Sequence, residues 1–187
     1  MKNFLSILLA SFALVPLATT AKATDMTPSV PSETATFSGI YLRGDAGASF
    51  LNWTGAPTNW NYVGDAGIGY QFDQNLRADL TYNWTGNYTV APGATLNTSS
   101  VLGTVYYDWK NESSLTPYIG AGVGYGWQNA GGTAVSDHGI AVGLNAGVAY
   151  DITNNLALDV GYRFHDIFTN TQSTGEHQVM AGLRVKF

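Results

Sequence analysis

Three histidines each stand beside an acidic residue, a pairing that is common in metal sites. They form the pairs Asp137-His138, His165-Asp166 and Glu176-His177. Imidazole and carboxylate groups are ligands for zinc and copper, and a histidine can also bind haem iron. The sequence therefore predicts a metal or haem site at His138, His165 and His177, if the chain bends enough to bring them together. The alternative is that they are three separate polar residues.

Two short stretches contain the residue types of a serine hydrolase. They are Ser136-Asp137-His138 and Ser173 with His177. Neither matches a known catalytic motif, and neighbouring residues on a strand point to opposite faces, which is poor geometry for a serine–histidine pair. We therefore expect a protein that is not an enzyme and has no cofactor.

A glycine-rich run, GAGVGYG at 120–126, resembles a nucleotide-binding loop at first sight. Its glycines, however, recur at every second residue, and neither a helix pattern nor Gly-Lys-Ser follows, as a phosphate-binding loop would require. The spacing instead indicates a strand with small residues along one face.

The composition excludes several classes of protein. Only 11% of the 187 residues are charged, and eight of them are Lys or Arg, so a basic nucleic-acid binder is not expected. The absence of cysteine excludes thiol catalysis and cysteine-bound zinc. A mean hydropathy of −0.02 is too polar for a bundle of membrane-spanning helices.

The N-terminus has the pattern of an export signal. Lys2 precedes the apolar stretch FLSILLASFALVPLA, and Ala21-Lys22-Ala23 fits the small-x-small cleavage rule. We predict a cleaved signal peptide at residues 1–23 and a flexible periplasmic leader at 24–36, which is rich in Pro, Ser and Thr. The folded domain is then 37–187.

From residue 37 onward, hydrophobic residues alternate with polar or small ones in eight segments of about ten residues. The segments are 40–50, 62–72, 76–84, 101–109, 117–127, 140–150, 156–164 and 179–187. Short turns at 73–75, 110–114 and 151–155 alternate with longer loops at 51–60, 85–98, 128–139 and 165–176. This asymmetry is typical of a bacterial membrane barrel, with the long loops outside the cell and both termini in the periplasm.

The apolar face of the segments carries aromatic residues at both ends, as the two headgroup layers of a bilayer favour. At the short-turn end these are Tyr70, Phe72, Tyr107, Trp109, Tyr150 and Phe187; at the other end they are Phe50, Tyr62, Trp84, Tyr125, Trp127 and Phe164. Since a sheet in lipid must close on itself, the predicted fold is an all-β, eight-stranded antiparallel up-and-down transmembrane β-barrel.

The polar face carries ten charged residues, five of each sign. They are Arg43, Arg77, Arg163, Arg184, Lys186, Asp45, Asp65, Asp79, Asp108 and Asp159. An unpaired charge is costly in a narrow, poorly solvated interior, so we predict a paired network inside the barrel that blocks ion flow. Arg43 with Asp45, and Arg77 with Asp79, are expected to pair along their own strands.

The motifs FSGIYLRGDAGASF, LTPYIGAGVGYG, VGYRFHD and HQVMAGLRVKF resemble the small outer-membrane surface antigens of Gram-negative bacteria, often described as porin-family or OmpA-like barrels. The resemblance covers 37–187 and implies a location in the cell outer membrane, among lipids and lipopolysaccharide. It also implies that Phe187 belongs to the signal read by the outer-membrane insertion machinery, and that haem is a ligand of some relatives.

We expect a structural or surface-antigen role, with external loops that bind host surface molecules or another ligand. The long loops contain no Lys or Arg, so attraction to anionic partners is not expected. Alternatives are a small porin-like channel and a haem- or metal-binding surface protein, with a lipid-modifying enzyme the least favoured. Eight strands leave an interior that side chains can fill, which argues against an open channel.

Overall fold

The computed structural model describes residues 39–52, 59–132, 136–169 and 173–187, and within these ranges nearly every residue is in a strand. The strands are β1 Gly39–Asn52, β2 Asn59–Gln71, β3 Leu76–Thr85, β4 Tyr88–Ala91, β5 Ala94–Asp108, β6 Leu115–Gly132, β7 Asp137–Asp151, β8 Leu156–Phe168 and β9 Thr174–Lys186. In these ranges no helix is long and apolar enough to cross a membrane. The predicted signal peptide and leader lie outside the described residues.

Eight of these strands close into a single antiparallel barrel. Each pairs with its neighbours along the chain, β3 pairs directly with β5, and β1 pairs with β9 to complete the ring. The short strand β4 pairs with the first residues of β5 and adds a hairpin at one end. The predicted eight-stranded antiparallel barrel is therefore confirmed, with β4 as an unforeseen addition.

The strands are staggered around the barrel. Starting at Tyr41 and moving from each residue to its partner on the next strand leads to Leu51, ten residues further along β1. The intermediate partners are Gly69, Asp79, Thr104, Gly122, Gly143, His165 and Glu176. Because closure requires this offset, the strands are tilted relative to the barrel axis, as in other closed barrels.

The two faces of the wall have opposite chemistry, and their burial is inverted relative to a water-soluble protein. On the outward face, Leu80, Val123 and Leu144 are 52%, 62% and 58% exposed, whereas on the inward face Arg77 and Thr81 are at most 1% exposed. An apolar outer surface of this extent requires an apolar surrounding. The wall is therefore built to face the hydrocarbon core of a membrane.

Three tight turns join strands at one end of the barrel, which we call the short-turn end. They occupy 72–75, 109–114 and 152–155, close to their predicted positions. In the first, the Asp73 carboxylate accepts hydrogen bonds from the backbone N–H groups of Asn75 at 2.7 Å and Leu76 at 2.8 Å. In the third, the Thr153 hydroxyl takes the same role for Asn155 and Leu156. These side chains cap the turn backbone.

At the other end, the long-hairpin end, the prediction of extended loops is largely wrong. The expected loop 85–98 contains β4, a Pro92-Gly93 turn and the start of β5, and β6 continues to Gly132. Gly93 has a φ of 75°, which suits glycine at the second central position of this turn. In this extension Ala94 and Leu96 are buried inward while Thr95 and Asn97 face outward, so the apolar outer face that marks the membrane segments is missing while backbone pairing continues.

The remaining long connections were also expected as loops. Strand β8 extends to Phe168 and strand β9 begins at Thr174, so most of 165–176 is strand rather than loop. Likewise β1 continues to Asn52, and β2 begins at Asn59. The central parts of three predicted loops, at 53–58, 133–135 and 170–172, lie outside the described residues.

Candidate functional site: the barrel interior and the long-hairpin end

The interior next to the short-turn end is a network of ion pairs. The ten predicted lumen residues all point inward, and each lies within an ion pair. The closest pairs are Arg43–Asp45 at 2.8 Å, Arg43–Asp79 at 3.0 Å, Arg77–Asp108 at 3.0 Å, Arg163–Asp65 at 2.8 Å, Arg184–Asp159 at 3.2 Å and Lys186–Asp151 at 2.8 Å. Opposite charges thus compensate each other where water is scarce.

The partners differ in part from the expectation for pairs along one strand. Arg43 and Asp45 do pair, but Arg77 is 4.0 Å from Asp79 and only 3.0 Å from Asp108 on β5. The Arg77 Nε–H group donates to both carboxylate oxygens of Asp108. The cross-strand partner is favoured because strand tilt places Asp108 opposite the end of the long arginine side chain.

Three inward-facing tyrosines, which the sequence alone did not single out, complete this network. The Arg77 guanidinium lies 3.9 Å from the ring centroid of Tyr106, and Arg43 Nη1 donates to the Tyr106 hydroxyl at 3.0 Å. The Tyr41 hydroxyl donates to Asp79 at 3.2 Å. Tyr118 contacts Tyr106 edge to face, with ring centroids 5.9 Å apart. Their position on the polar face was the available signal, because an aromatic there must fill the interior.

Glycines on the inward face make room for these rings. A Cβ atom at Gly120 would lie 2.4 Å from Tyr106 Cδ1, and one at Gly147 or Gly161 would lie 2.5 Å from the Tyr118 hydroxyl. The glycine run of β6 therefore accommodates bulky neighbours. A cavity of about 10 Å³ lined by Arg43, Asp45, Asn145 and Arg163, among others, has room for about one water molecule.

The interior towards the long-hairpin end is mostly uncharged. Its centre is Glu176 on β9, whose carboxylate accepts hydrogen bonds from Thr98 at 2.7 Å and from Gln178 at 2.8 Å. His165 Nδ1 lies 3.4 Å from this carboxylate, and His165 Nε2 lies 3.0 Å from the Ser100 hydroxyl. Hydroxyls and amides thus replace arginines as the partners of the buried acid.

Ser100, His165 and Glu176 have the residue types and order of contacts of a nucleophile, base and acid. Each of the three side chains has 0% exposure. A nucleophile must be reachable by its substrate, so we interpret this group as a buried hydrogen-bond network that fills the interior. The Ser173 hydroxyl, considered above as a partner of His177, instead donates to Asp166 at 2.7 Å.

The three histidines do not share one site. His165 points into the barrel, whereas His138 and His177 lie on the outer wall, next to Tyr125 and Tyr162. The barrel wall therefore separates the two sets of imidazoles. Among the described residues, no group of three or more His, Cys, Asp or Glu side chains could hold a metal ion. The expected convergence of His138, His165 and His177 fails because alternate strand residues face opposite sides.

Aromatic rings encircle the outer wall near both ends of the apolar band. Near the short-turn end, Tyr107 and Trp109 have ring centroids 5.2 Å apart, and near the long-hairpin end Tyr125 and Trp127 are 5.5 Å apart. Phe187 is 68% exposed at the first of these ends, and its backbone N–H donates to the Ile40 carbonyl at 3.0 Å. Such aromatic rings mark the two interfaces of a bilayer.

Asp151, the last residue of β7, lies just beyond the aromatic ring of the short-turn end. Partial burial disfavours the charged form of the Asp151 carboxyl, but hydrogen bonds from Lys186 and Lys110 and their charges dominate and lower its pKa. Lys186 Nζ is 2.8 Å and Lys110 Nζ 3.0 Å from the carboxylate oxygens. This triplet holds the last residues of β7 and β9 and the turn at 109–114 together.

A closed barrel with an apolar outer wall, a belt of aromatic side chains near each end and a charged, filled interior is a transmembrane β-barrel of the outer membrane. The chain belongs to the family described as the outer membrane protein beta-barrel domain, which matches residues 7–187. It is an outer-membrane protein of the small-barrel type that includes opacity proteins and Neisserial surface protein A.

Individual relatives agree with this assignment. An uncharacterized protein of Haemophilus influenzae is 29% identical over 161 residues, covering 79% of this chain and 88% of that protein. Opacity protein opA67 of Neisseria gonorrhoeae is 30% identical over 130 residues, covering 50% of this chain and 55% of that protein. The crystal structure of Neisserial surface protein A superposes with a TM-score of 0.71 at 27% identity, covering 80% of this chain and 97% of that one.

Proposed function

We propose that this protein is a non-enzymatic surface protein whose barrel is a closed anchor and whose long-hairpin end, facing the cell exterior, binds a partner by adhesion. The observation that carries the proposal is the contrast between a filled interior and a hairpin that rises above the outer-wall aromatic ring. Lipids and lipopolysaccharide surround the barrel, and the C-terminal strand β9 together with Phe187 engages the insertion machinery.

The filled interior favours an anchor over a channel. Ion pairs and tyrosines occupy the short-turn half, and the His165–Glu176 network occupies the other half. A diffusion pore needs a continuous water path, which larger barrels provide.

The chemistry of the long-hairpin end disfavours an anionic partner surface. No Lys or Arg occurs in 51–60, 85–98, 128–139 or 165–176, so counter-ion release from a polyanion cannot drive binding. Exposed Trp60 and Phe168 supply apolar contact area at this end. Aromatic anchors surrounded by neutral polar groups are typical of binding surfaces.

The adhesion proposal can be tested with bacteria that do not adhere by themselves. We expect cells that display the protein to attach to host epithelial cells, and attachment to be lost when residues 87–96 are replaced by a two-residue Asn-Gly turn. Replacement of 110–114 by a glycine-serine sequence of equal length is the matched control and should retain attachment. Equal attachment by both variants would contradict the proposal, and stepwise conductance of the purified barrel would favour the channel.

The proposed orientation has its own test. An epitope tag inserted at 92–93 should be labelled on intact cells, and one inserted at 111–112 should be labelled only after the outer membrane is permeabilised. The reverse labelling pattern would contradict the orientation.

A further inference from the structure

A shallow trough runs along the outer face of β5, between two walls of aromatic side chains. The outward residues of β5 at this level are Asn97, Ser99, Val101 and Gly103. Ser99 pairs with Trp84 on β3 and with Trp127 on β6, and Val101 pairs with Tyr82 and Tyr125 in the same way. We call this feature the β5 trough; it has small side chains at its floor and large rings on either side.

The aromatic walls lie away from β5 and leave the trough open. The Trp84 indole covers Gly64 on the neighbouring strand β2, because a Cβ atom at Gly64 would be only 2.6 Å from Trp84 Cζ2. On the other side, Tyr125 packs against His138 on β7, with ring centroids 5.8 Å apart. Ser99 remains partly exposed and Gly103 exposed between them.

A row of side-chain amides caps the trough at its long-hairpin end. Asn129 Nδ2 donates to Asn97 Oδ1 at 3.1 Å, and Asn97 Nδ2 donates to Asn87 Oδ1 at 2.8 Å. Each amide has two N–H donors and an oxygen that accepts twice, so these bonds use only part of the capacity of the row. Asn87 and Asn129 are exposed, and their remaining donors and acceptors are available to a ligand.

The trough thus changes from polar to apolar along its length. Amides lie above the aromatic ring of the outer wall, tryptophans lie level with it, and Val101 and Gly103 lie below it, in the apolar band. No Lys or Arg occurs in the segments that form the mouth, 85–98 and 128–139, so no cation is available there for a phosphate group. The chemistry favours a ligand with a neutral hydroxyl-rich head and an apolar tail.

We propose that the β5 trough binds the sugar headgroup of a glycolipid in the surrounding membrane leaflet. Sugar hydroxyls bond to the amide row, the apolar face of the sugar ring contacts Trp84 or Trp127, and an acyl chain follows Val101 and Gly103. The trough faces sideways into the membrane plane, which selects a lipid over a soluble glycan. The proposal uses the proposed orientation but does not depend on adhesion.

Native mass spectrometry of the purified full chain gives a direct test. The barrel is equilibrated with equal amounts of monogalactosyl diacylglycerol and phosphatidylglycerol that carry the same acyl chains. We expect the neutral glycolipid to be retained about tenfold more than the phospholipid, as one or two additional hydrogen bonds would give. Asn97→Ala combined with Asn129→Ala should abolish this preference.

A substitution that fills the trough distinguishes glycolipid binding in the trough from lipid contact elsewhere on the outer wall. Ser99→Trp should displace the glycolipid, whereas Ala48→Trp should not, although Ala48 is also a small outward residue near the same aromatic ring, between Tyr62 and Val179. Heat-modified mobility in detergent gels verifies folding, and Ser99→Leu replaces Ser99→Trp if that variant does not fold. Equal retention of the two lipids, or equal loss in both tryptophan variants, would overturn the proposal without bearing on adhesion.

Discussion

The two halves of the barrel interior surround their buried acidic groups with different chemistry. In the short-turn half, arginines pair with aspartates and lie against tyrosine rings, as Arg77 does with Asp108 and Tyr106. In the long-hairpin half, the buried acid Glu176 has hydroxyl, amide and imidazole partners. Both halves fill the space and give their buried acids polar partners, but only the first relies on full opposing charges.

This difference has consequences for how each half responds to change. A full charge that loses its partner in a poorly solvated interior is strongly destabilising, whereas a neutral hydrogen-bond partner can be replaced at lower cost. Single substitutions in the short-turn half should therefore cost more stability than comparable substitutions in the long-hairpin half. The long-hairpin half should tolerate substitution better, because its partners are mostly neutral hydrogen-bonding groups.

The largest effect is expected from Arg77→Ala. The substitution leaves the Asp108 carboxylate without its closest cation and removes the guanidinium from the Tyr106 ring. We expect a loss of about 3–5 kcal/mol in the free energy of unfolding, which is typical of a broken buried ion pair. Urea titration of the refolded barrel in detergent or lipid measures it. Conductance should also rise, because the side chain fills the interior.

A double variant separates charge from packing at this site. Arg77→Met with Asp108→Asn leaves no uncompensated charge between the two positions, so its loss should be smaller than that of Arg77→Ala. If Arg77→Ala had no effect on stability, the ion-pair network would not support the fold.

A second comparison uses acids from the two halves. Asp108→Asn removes the closest carboxylate of Arg77 in the charged half and leaves only Asp79, at 4.0 Å, so we expect a loss of about 3 kcal/mol. Glu176→Gln keeps an oxygen that can accept from Thr98 and removes no arginine partner, so a loss of about 1 kcal/mol is expected. Equal losses, measured by the same urea titrations, would show that the two halves do not differ in the way proposed.

A third comparison concerns packing. Gly120→Ala places a methyl group 2.4 Å from Tyr106 Cδ1 in the short-turn half, and the crowding should cost about 1–3 kcal/mol. Gly143→Ala, also inward but closer to the long-hairpin end, places its methyl 3.4 Å from Leu102 Cδ1 and should be nearly neutral. Thermal unfolding of the two variants in parallel tests the contrast, and a greater loss for Gly143→Ala would refute it.

The sequence predicted the barrel and its inward charges because period-two alternation encodes which face of a strand meets lipid. It did not predict β4 or the extension of β6 to Gly132, since the apolar outer face of the strands ends at the edge of the bilayer while backbone pairing continues. The same period also separates His165 from His177, which their acidic neighbours in the sequence had suggested as ligands of one metal site. Which inward residues pair across strands depends on register and tilt, so the Arg77–Asp108 contact required the structure.

The smallest effect is expected at Asp151, where the pKa is lowered by its two lysines. A carboxyl with a lower pKa in the folded state stabilises the fold above its unfolded pKa of about 3.9, and this contribution is lost as pH falls through the folded value. The side chain is 30% exposed, so solvent screening limits the contribution to less than about 1 kcal/mol. Asp151→Asn should therefore be slightly less stable than the native chain at pH 7, and the difference should vanish near pH 2 and shrink in high salt. Urea titrations of both proteins at the two pH values measure this difference, and a larger difference at acid pH would contradict the assigned direction.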